Sequence, residues 1–144
     1  MSGLTMEQAK APWHVWVAGV LALLWNGAGA YTIMMAQRGL LAGVSADEAA
    51  YYAAQAPWFV IVTDIALCGG ILGAVALLLR SRWAVTLFAV SLAAIVVTNG
   101  YDLAMGTSRM FTNTTTVIVT CLIWGLAILQ LWYTATMQTR GVLR

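Results

Sequence analysis

The sequence predicts an all-α fold: an integral membrane four-helix bundle that forms a single domain over residues 1–144. Three observations lead there. Of the 144 residues, 62% are hydrophobic and only 8% charged, and the mean hydropathy is +0.85. Soluble domains carry about a quarter of their residues as charges, and their surfaces need them. Four apolar stretches, at about 13–37, 58–79, 83–105 and 116–137, reach the roughly 20 residues that cross a bilayer. Tryptophan, proline, arginine and short polar turns bound these stretches, as span ends require. A net charge of +2 without a basic stripe does not suggest nucleic acid.

The segment before Trp13 is short and polar, with Glu7 and Lys10, and reads as an interfacial lead-in. The first span follows and Arg38 closes it. Ala28-Gly29-Ala30 mimics a signal-peptide cleavage site, but the apolar run continues through Met34 and Met35, so the segment is expected to stay as a span. Residues 39–56 form the sizeable loop. Within it Ser45-Ala46-Asp47-Glu48 fits a capping box that opens an Ala-rich helix through Tyr51, Tyr52 and Gln55. With Trp58, those tyrosines suit a headgroup layer. The element therefore reads as a short amphipathic surface helix that roofs the bundle; the plain alternative is a solvated loop helix. Pro57 ends it and opens the second span.

The second span holds Asp64 and the run Cys68-Gly69-Gly70-Ile71-Leu72-Gly73. Gly69 and Gly73 make a small-xxx-small pair that lets another backbone approach. Arg80-Ser81-Arg82 is so short a turn that the second and third spans must be antiparallel neighbours. The third span ends in Asn99-Gly100-Tyr101-Asp102. A polar turn over 106–115 follows, in which Asn113 or a following threonine caps the fourth span. Asn113-Thr114-Thr115 also matches a glycosylation acceptor, a pattern common by chance.

Four spans put both termini on one side. Lys10, Arg80, Arg82, Arg140 and Arg144 lie there, against Arg38 and Arg109 on the other, so both termini are expected to be cytoplasmic. With that orientation the polar residues of the spans share an outer layer. Asn26 and Tyr31 come from the first span, and Asp64 from the second, roughly 10 Å below its boundary at 1.5 Å per residue. Asn99, Tyr101 and Asp102 come from the third, with Thr120 and Cys121 at similar depth on the fourth. Gln130 is the main polar residue of the inner half. Asn26, Tyr31, Asp64, Asn99, Tyr101 and Asp102 are therefore the candidate ligand-binding residues. An ionisable residue within a span is a functional candidate by default, because desolvation disfavours its charge. The plain alternative weighs as much: these groups glue the bundle by interhelical hydrogen bonds.

Other groups point less far. Cys68 and Cys121 form no C-x-x-C and are expected to pack as small apolar residues. Met34, Met35, Met105 and Met110 gather near the outer boundary, where thioethers can take Cu(I), but methionine more often fills gaps. His14 stands alone, so two axial histidines for a haem do not exist in this chain. Trp13, Trp16, Trp83, Trp132 and Trp58 fit interface belts, whereas Trp25 and Trp124 do not. No cofactor or metal is implied. The Asn-Gly, Tyr and Met of the first and third spans hint at a hairpin duplication, too loosely spaced to build on.

The runs P-W-H-V-W-V-A-G-V-L-A-L-L-W-N-G-A-G-A-Y (Pro12 to Tyr31) and G-G-I-L-G-A-V-A-L-L-L-R-S-R-W-A-V (Gly69 to Val85) resemble small four-span inner-membrane proteins of proteobacteria. The most specific part is Trp25, Asn26, Gly29, Ala30 and Tyr31. Some members carry an acidic residue just before that tyrosine; here it is Ala30, so no carboxylate role carries over. Some members bear a loose sugar-transporter label. The glycine-rich second span and its basic turn also resemble the DoxX-type four-span fold. The resemblance implies architecture and an inner-membrane location.

Three functions follow as expectations. The first is a non-enzymatic accessory or assembly subunit, with an outer-facing polar pocket, that docks in a larger membrane complex. Its partners would be the lipid bilayer and other membrane chains, or a further copy through Gly69 and Gly73. The second is an oligomeric small-solute binder or transporter using Asp64. The third is a lipid- or quinone-directed enzyme using Asp64 with Tyr31 or Tyr101; no nucleophile, metal or cofactor set accompanies them.

Overall fold

The computed structural model describes residues 12–107 and 113–144. Five helices follow in order: α1 (Trp13–Gln37), α2 (Ala46–Ala53), α3 (Pro57–Leu78), α4 (Trp83–Ala104) and α5 (Thr114–Thr139). All but α2 are long and apolar enough to cross a membrane, and the chain is a multi-pass membrane protein. The expected spans lie within two residues of these bounds. The lead-in before Pro12, Arg109 and Met110 fall outside the described residues.

Local chemistry sets the helix ends. Ser45 Oγ accepts from Glu48 N at 3.2 Å, and Ser45 N donates to Glu48 Oε2 at 2.9 Å, which completes the capping box of α2. Pro57 stands in the first turn of α3, where its missing N–H costs nothing. Asn113 Oδ1 accepts from Thr116 N at 2.8 Å and starts α5. Beyond α1, Gly39 takes φ +67°, a left-handed geometry suited to glycine after a helix.

Hydrocarbon gives helices no hydrophobic reason to associate, so close packing and hydrogen bonds decide their order. α3 lies between α1 and α4, and α5 packs on α4. A Cβ at Gly69 would lie 3.1 Å from the Leu87 carbonyl oxygen and from Ser91 Cβ on α4. Ser91 Oγ donates to the Ala66 carbonyl at 2.6 Å, which fastens the two backbones there. Gly73 lies under the Phe88 ring. The glycine pair expected to meet another chain is thus buried against α4 of its own chain. On the other flank Gly19 of α1 receives the Leu78 side chain. α5 reaches α1 through side chains, with a 2.5 Å hydrogen bond between His14 Nδ1 and the Tyr133 hydroxyl.

The core lies toward the end that carries the α3–α4 turn. Gly141, at φ +71°, turns the chain back, and Val142 and Leu143 join Val15, Leu77, Ala84 and Met137 in it. Arg82 N donates to the Arg144 carbonyl at 2.7 Å, and Arg144 N donates to the Arg80 carbonyl at 2.8 Å. Residues 142–144 thereby clasp the turn. Cys68 and Cys121 correct the sequence expectation: both are exposed, Cys68 on α3 and Cys121 on a cavity wall of α5, and neither packs in the core.

Candidate functional site

The polar residues of the spans separate into three places. The first joins α1, α3 and α5. Asn26 Nδ2 donates to the Ala22 carbonyl at 2.7 Å and to Gln130 Oε1 of α5 at 3.2 Å. Its Oδ1 lies against Gly70, where any Cβ would collide with it. Gly70 is buried, so the amide bridges two helices across a third. Gln130, read as the odd polar residue of the inner half, is the partner of Asn26.

The second place lies under the roof helix. The Tyr51 hydroxyl of α2 reaches both carboxylate oxygens of Asp102 on α4 at 3.0 Å. The Tyr52 ring meets that of Tyr51 edge-on at 5.3 Å. Tyr101 stacks edge-on against Trp58 at 4.8 Å and leans on Phe59 at 5.8 Å, which ties α4 to the start of α3. The Tyr51–Asp102 pair divides two cavities. One of about 200 Å³ is walled by Gln55, Phe59, Tyr101 and Met105. The other, about 560 Å³, opens between α2, α4 and α5 and is walled by Glu48, Tyr52, Asn99, Thr116, Thr120 and Cys121. Asn99, Asp102, Thr120 and Cys121, expected at one depth, do share a wall.

Electrostatics there follow from burial and neighbours. Burial, and then the Asp102 charge, push the Tyr51 phenol well above its ordinary range. Burial, and then the Glu48 charge, push Tyr52 up as well. Both phenols keep their protons, so Tyr51 is a standing donor to Asp102. The Ser45 backbone N–H, and then its hydroxyl, hold Glu48 below the usual carboxylate range. The larger cavity thus presents carboxyl groups, phenols and an amide from α2 and α4, and threonine hydroxyls together with Val117, Val119 and Ile123 from α5. Such walls suit a small polar solute or a lipid headgroup. Among the described residues, no three His, Cys, Asp or Glu side chains gather as metal ligands would.

The third place is Asp64 alone. It is exposed on α3, and no hydrogen bond joins it to another described residue. It does not meet Asn26, Tyr31, Asn99 or Tyr101, the partners the sequence suggested. Tyr31 is 62% exposed and lines neither cavity. The signal for Asp64 lay in the helix phase. At about 100° per residue, Gly69, Gly70 and Gly73 fall roughly 140°, 120° and 180° around α3 from Asp64. Glycines buried against neighbouring helices therefore turn Asp64 outward. Tyr51 read as an interfacial anchor, and only the chain path over α4 makes it the partner of Asp102.

Compared with family models, curated proteins and solved structures, the chain matches none.

Proposed function

We propose that this chain is a non-enzymatic accessory subunit of a larger membrane assembly, docking another membrane chain along the outer face of α3. One observation carries the reading. Asp64 is exposed on a helix that crosses the membrane, without a hydrogen bond to a described residue. A carboxyl group facing hydrocarbon costs several kcal/mol, on the order of 3 by insertion scales, and such groups normally face protein or water. A neighbouring protein on this face removes that cost. The charge distribution supports an orientation with both termini cytoplasmic. A bacterial inner-membrane location rests on the resemblance to small proteobacterial four-span proteins.

Purification in mild detergent, or in nanodiscs cut from native membrane, tests the proposal. A second chain should co-purify in fixed ratio, and Asp64→Leu should weaken its recovery. A lone, well-behaved wild-type monomer counts against docking.

A second reading rests on the cavity between α2, α4 and α5: a small-solute binder or transporter. Its carboxyl group is Asp102, not Asp64, because Asp102 faces the cavity and Asp64 faces outward. Solute uptake in liposomes should then fall in Asp102→Asn and stay unchanged in Asp64→Leu. Unchanged uptake in Asp102→Asn rejects this reading.

A further inference from the structure

We propose that the cavities meeting at Asp102 take the ammonium head of an aliphatic primary amine, with Asp102 as its main counter-charge. The proposal rests on the solute-binding reading of that site and names the class of solute. It starts from the charges on the walls. Asp102 lines both cavities and Glu48 lines the larger one, and no lysine or arginine stands among the described residues that wall either. An acidic recess of about 560 Å³ favours a positive guest, and it is far too wide for a bare metal ion. Nor does a third His, Cys, Asp or Glu join the two carboxyl groups among the described residues.

The hydrogen-bonding groups narrow the class. Several donors on these walls are already committed. The single Tyr51 proton is shared between the two Asp102 oxygens, each at 3.0 Å. Thr116 Oγ1 donates to Asn113 Oδ1 at 3.0 Å, and Asn99 Nδ2 donates to the Ile95 carbonyl at 3.0 Å. Acceptors are in surplus. Each Asp102 oxygen keeps a lone pair beyond the one that Tyr51 uses. Gln55 Oε1, on the wall of the smaller cavity, is buried and has no hydrogen bond. Buried acceptors normally have a donor, so this one points to a guest that brings protons. A primary ammonium group brings three donors and no acceptor, whereas a neutral polyol brings an acceptor with every donor.

The aromatic and apolar walls fit the same guest. The Tyr51 and Tyr52 rings, 5.3 Å apart and inclined at 66°, both line the larger cavity. As neutral phenols they offer negative ring faces to a cation. Val117, Val119 and Ile123 of α5 give an alkyl chain an apolar surface. A free amine and an aminophospholipid headgroup share this chemistry.

Dansylcadaverine, a fluorescent primary amine on an alkyl arm, tests the proposal on the full chain in phosphatidylcholine nanodiscs, with empty nanodiscs as the blank. Binding should be saturable, and butylammonium should displace the probe. The N-acetylated probe, which has lost the charge, should bind about tenfold more weakly. Asp102→Asn keeps an acceptor for Tyr51 and should weaken binding about tenfold. Glu48→Gln keeps the capping pattern of α2 and should weaken it about threefold. Asp47, an exposed carboxyl group of α2, lines neither cavity, so Asp47→Asn should bind as the parent does. Nanodiscs that contain phosphatidylethanolamine separate the two sources: a fall in probe affinity there assigns the ammonium group to lipid, and unchanged affinity assigns it to a free amine. No saturable binding, equal binding of the N-acetylated probe, or unchanged binding in Asp102→Asn overturns the proposal. So does a loss in Asp47→Asn as large as that in Asp102→Asn. Binding that appears only in Arg109→Ala also overturns it, because the chain's own guanidinium then fills the site. If amines fail while uptake of another solute still falls in Asp102→Asn, the solute-binding reading stands; if both fail, it falls with the proposal.

Discussion

Asn26 of α1 and Gly70 of α3 interlock, with the amide oxygen held against the Gly70 backbone and the amide nitrogen bonded onward to Gln130 of α5. Three spans meet at that point because one residue lacks a side chain and another has an amide. Gly70→Ala should evict Asn26 and cost about 1–3 kcal/mol. Gly29→Ala on α1 meets nothing within 4 Å and should be neutral or stabilising, by at most about 1 kcal/mol from helix propensity. Melting of the two variants in detergent separates these outcomes. Equal melting would show that the Gly70 contact does not matter.

The Asn26–Gln130 bond joins α5 to a helix it otherwise meets little. A double-mutant cycle with Asn26→Leu and Gln130→Leu should give a coupling of about 0.5–2 kcal/mol, the range of interhelical polar bonds in membranes. A coupling indistinguishable from zero would make the contact incidental.

The span limits were legible because each end carries a local mark: Trp13, Pro57, Trp83, Arg38, and the Asn113 cap. Those marks act within a turn and need no knowledge of neighbours. The roof helix was legible for the same reason, through Ser45 and Glu48. The direction in which a polar residue points was not, since it depends on which face of each span its neighbours bury. Asn26, Tyr31 and Asp64 looked alike in the sequence, yet one bridges helices and two face outward. The glycines of α3 held the missing information, because a buried small residue sets the helix phase as firmly as a large apolar one. The Tyr51–Asp102 pair spans a separation of 51 residues, and no local pattern encodes it.

Alkaline titration reads the roof directly. Tyr51 and Tyr52 have phenols raised above the ordinary value of 10.0. The fold favours their neutral forms. That stability is complete below the ordinary phenol range and is lost as pH rises through it toward the folded-state values. Of the five tyrosines, these two should contribute a late fraction to phenolate absorbance. Tyr51→Phe and Tyr52→Phe should each remove part of it. Asp102→Asn should bring Tyr51 partway down, since the Asp102 charge is the second cause after burial. Simultaneous ionisation of all tyrosines near the ordinary value would contradict the buried roof.

At the acid side the sign reverses. Glu48 is held below its ordinary range, so its contribution to α2 is present above that range and lost as pH falls through the folded-state value. Amide protection factors in Ala46–Ala53, taken against the intrinsic exchange rate at each pH, should fall on acidification while those of α3 and α4 hold. Ser45→Ala should have the same local effect at neutral pH, costing about 1 kcal/mol of α2 stability. Uniform loss of protection across all helices would contradict a separable roof.

The clasp of residues 142–144 on the α3–α4 turn bears on how the chain is assembled. Arg80 and Val142 are 62 residues apart, so the ribosome makes the hairpin long before the segment that completes it. During synthesis the hairpin stays provisional. Without residues 142–144 the turn lacks both backbone bonds and the core lacks two apolar plugs. Order of synthesis and order of closure thus coincide: the hairpin forms first, and its turn is locked only after α5 has followed it.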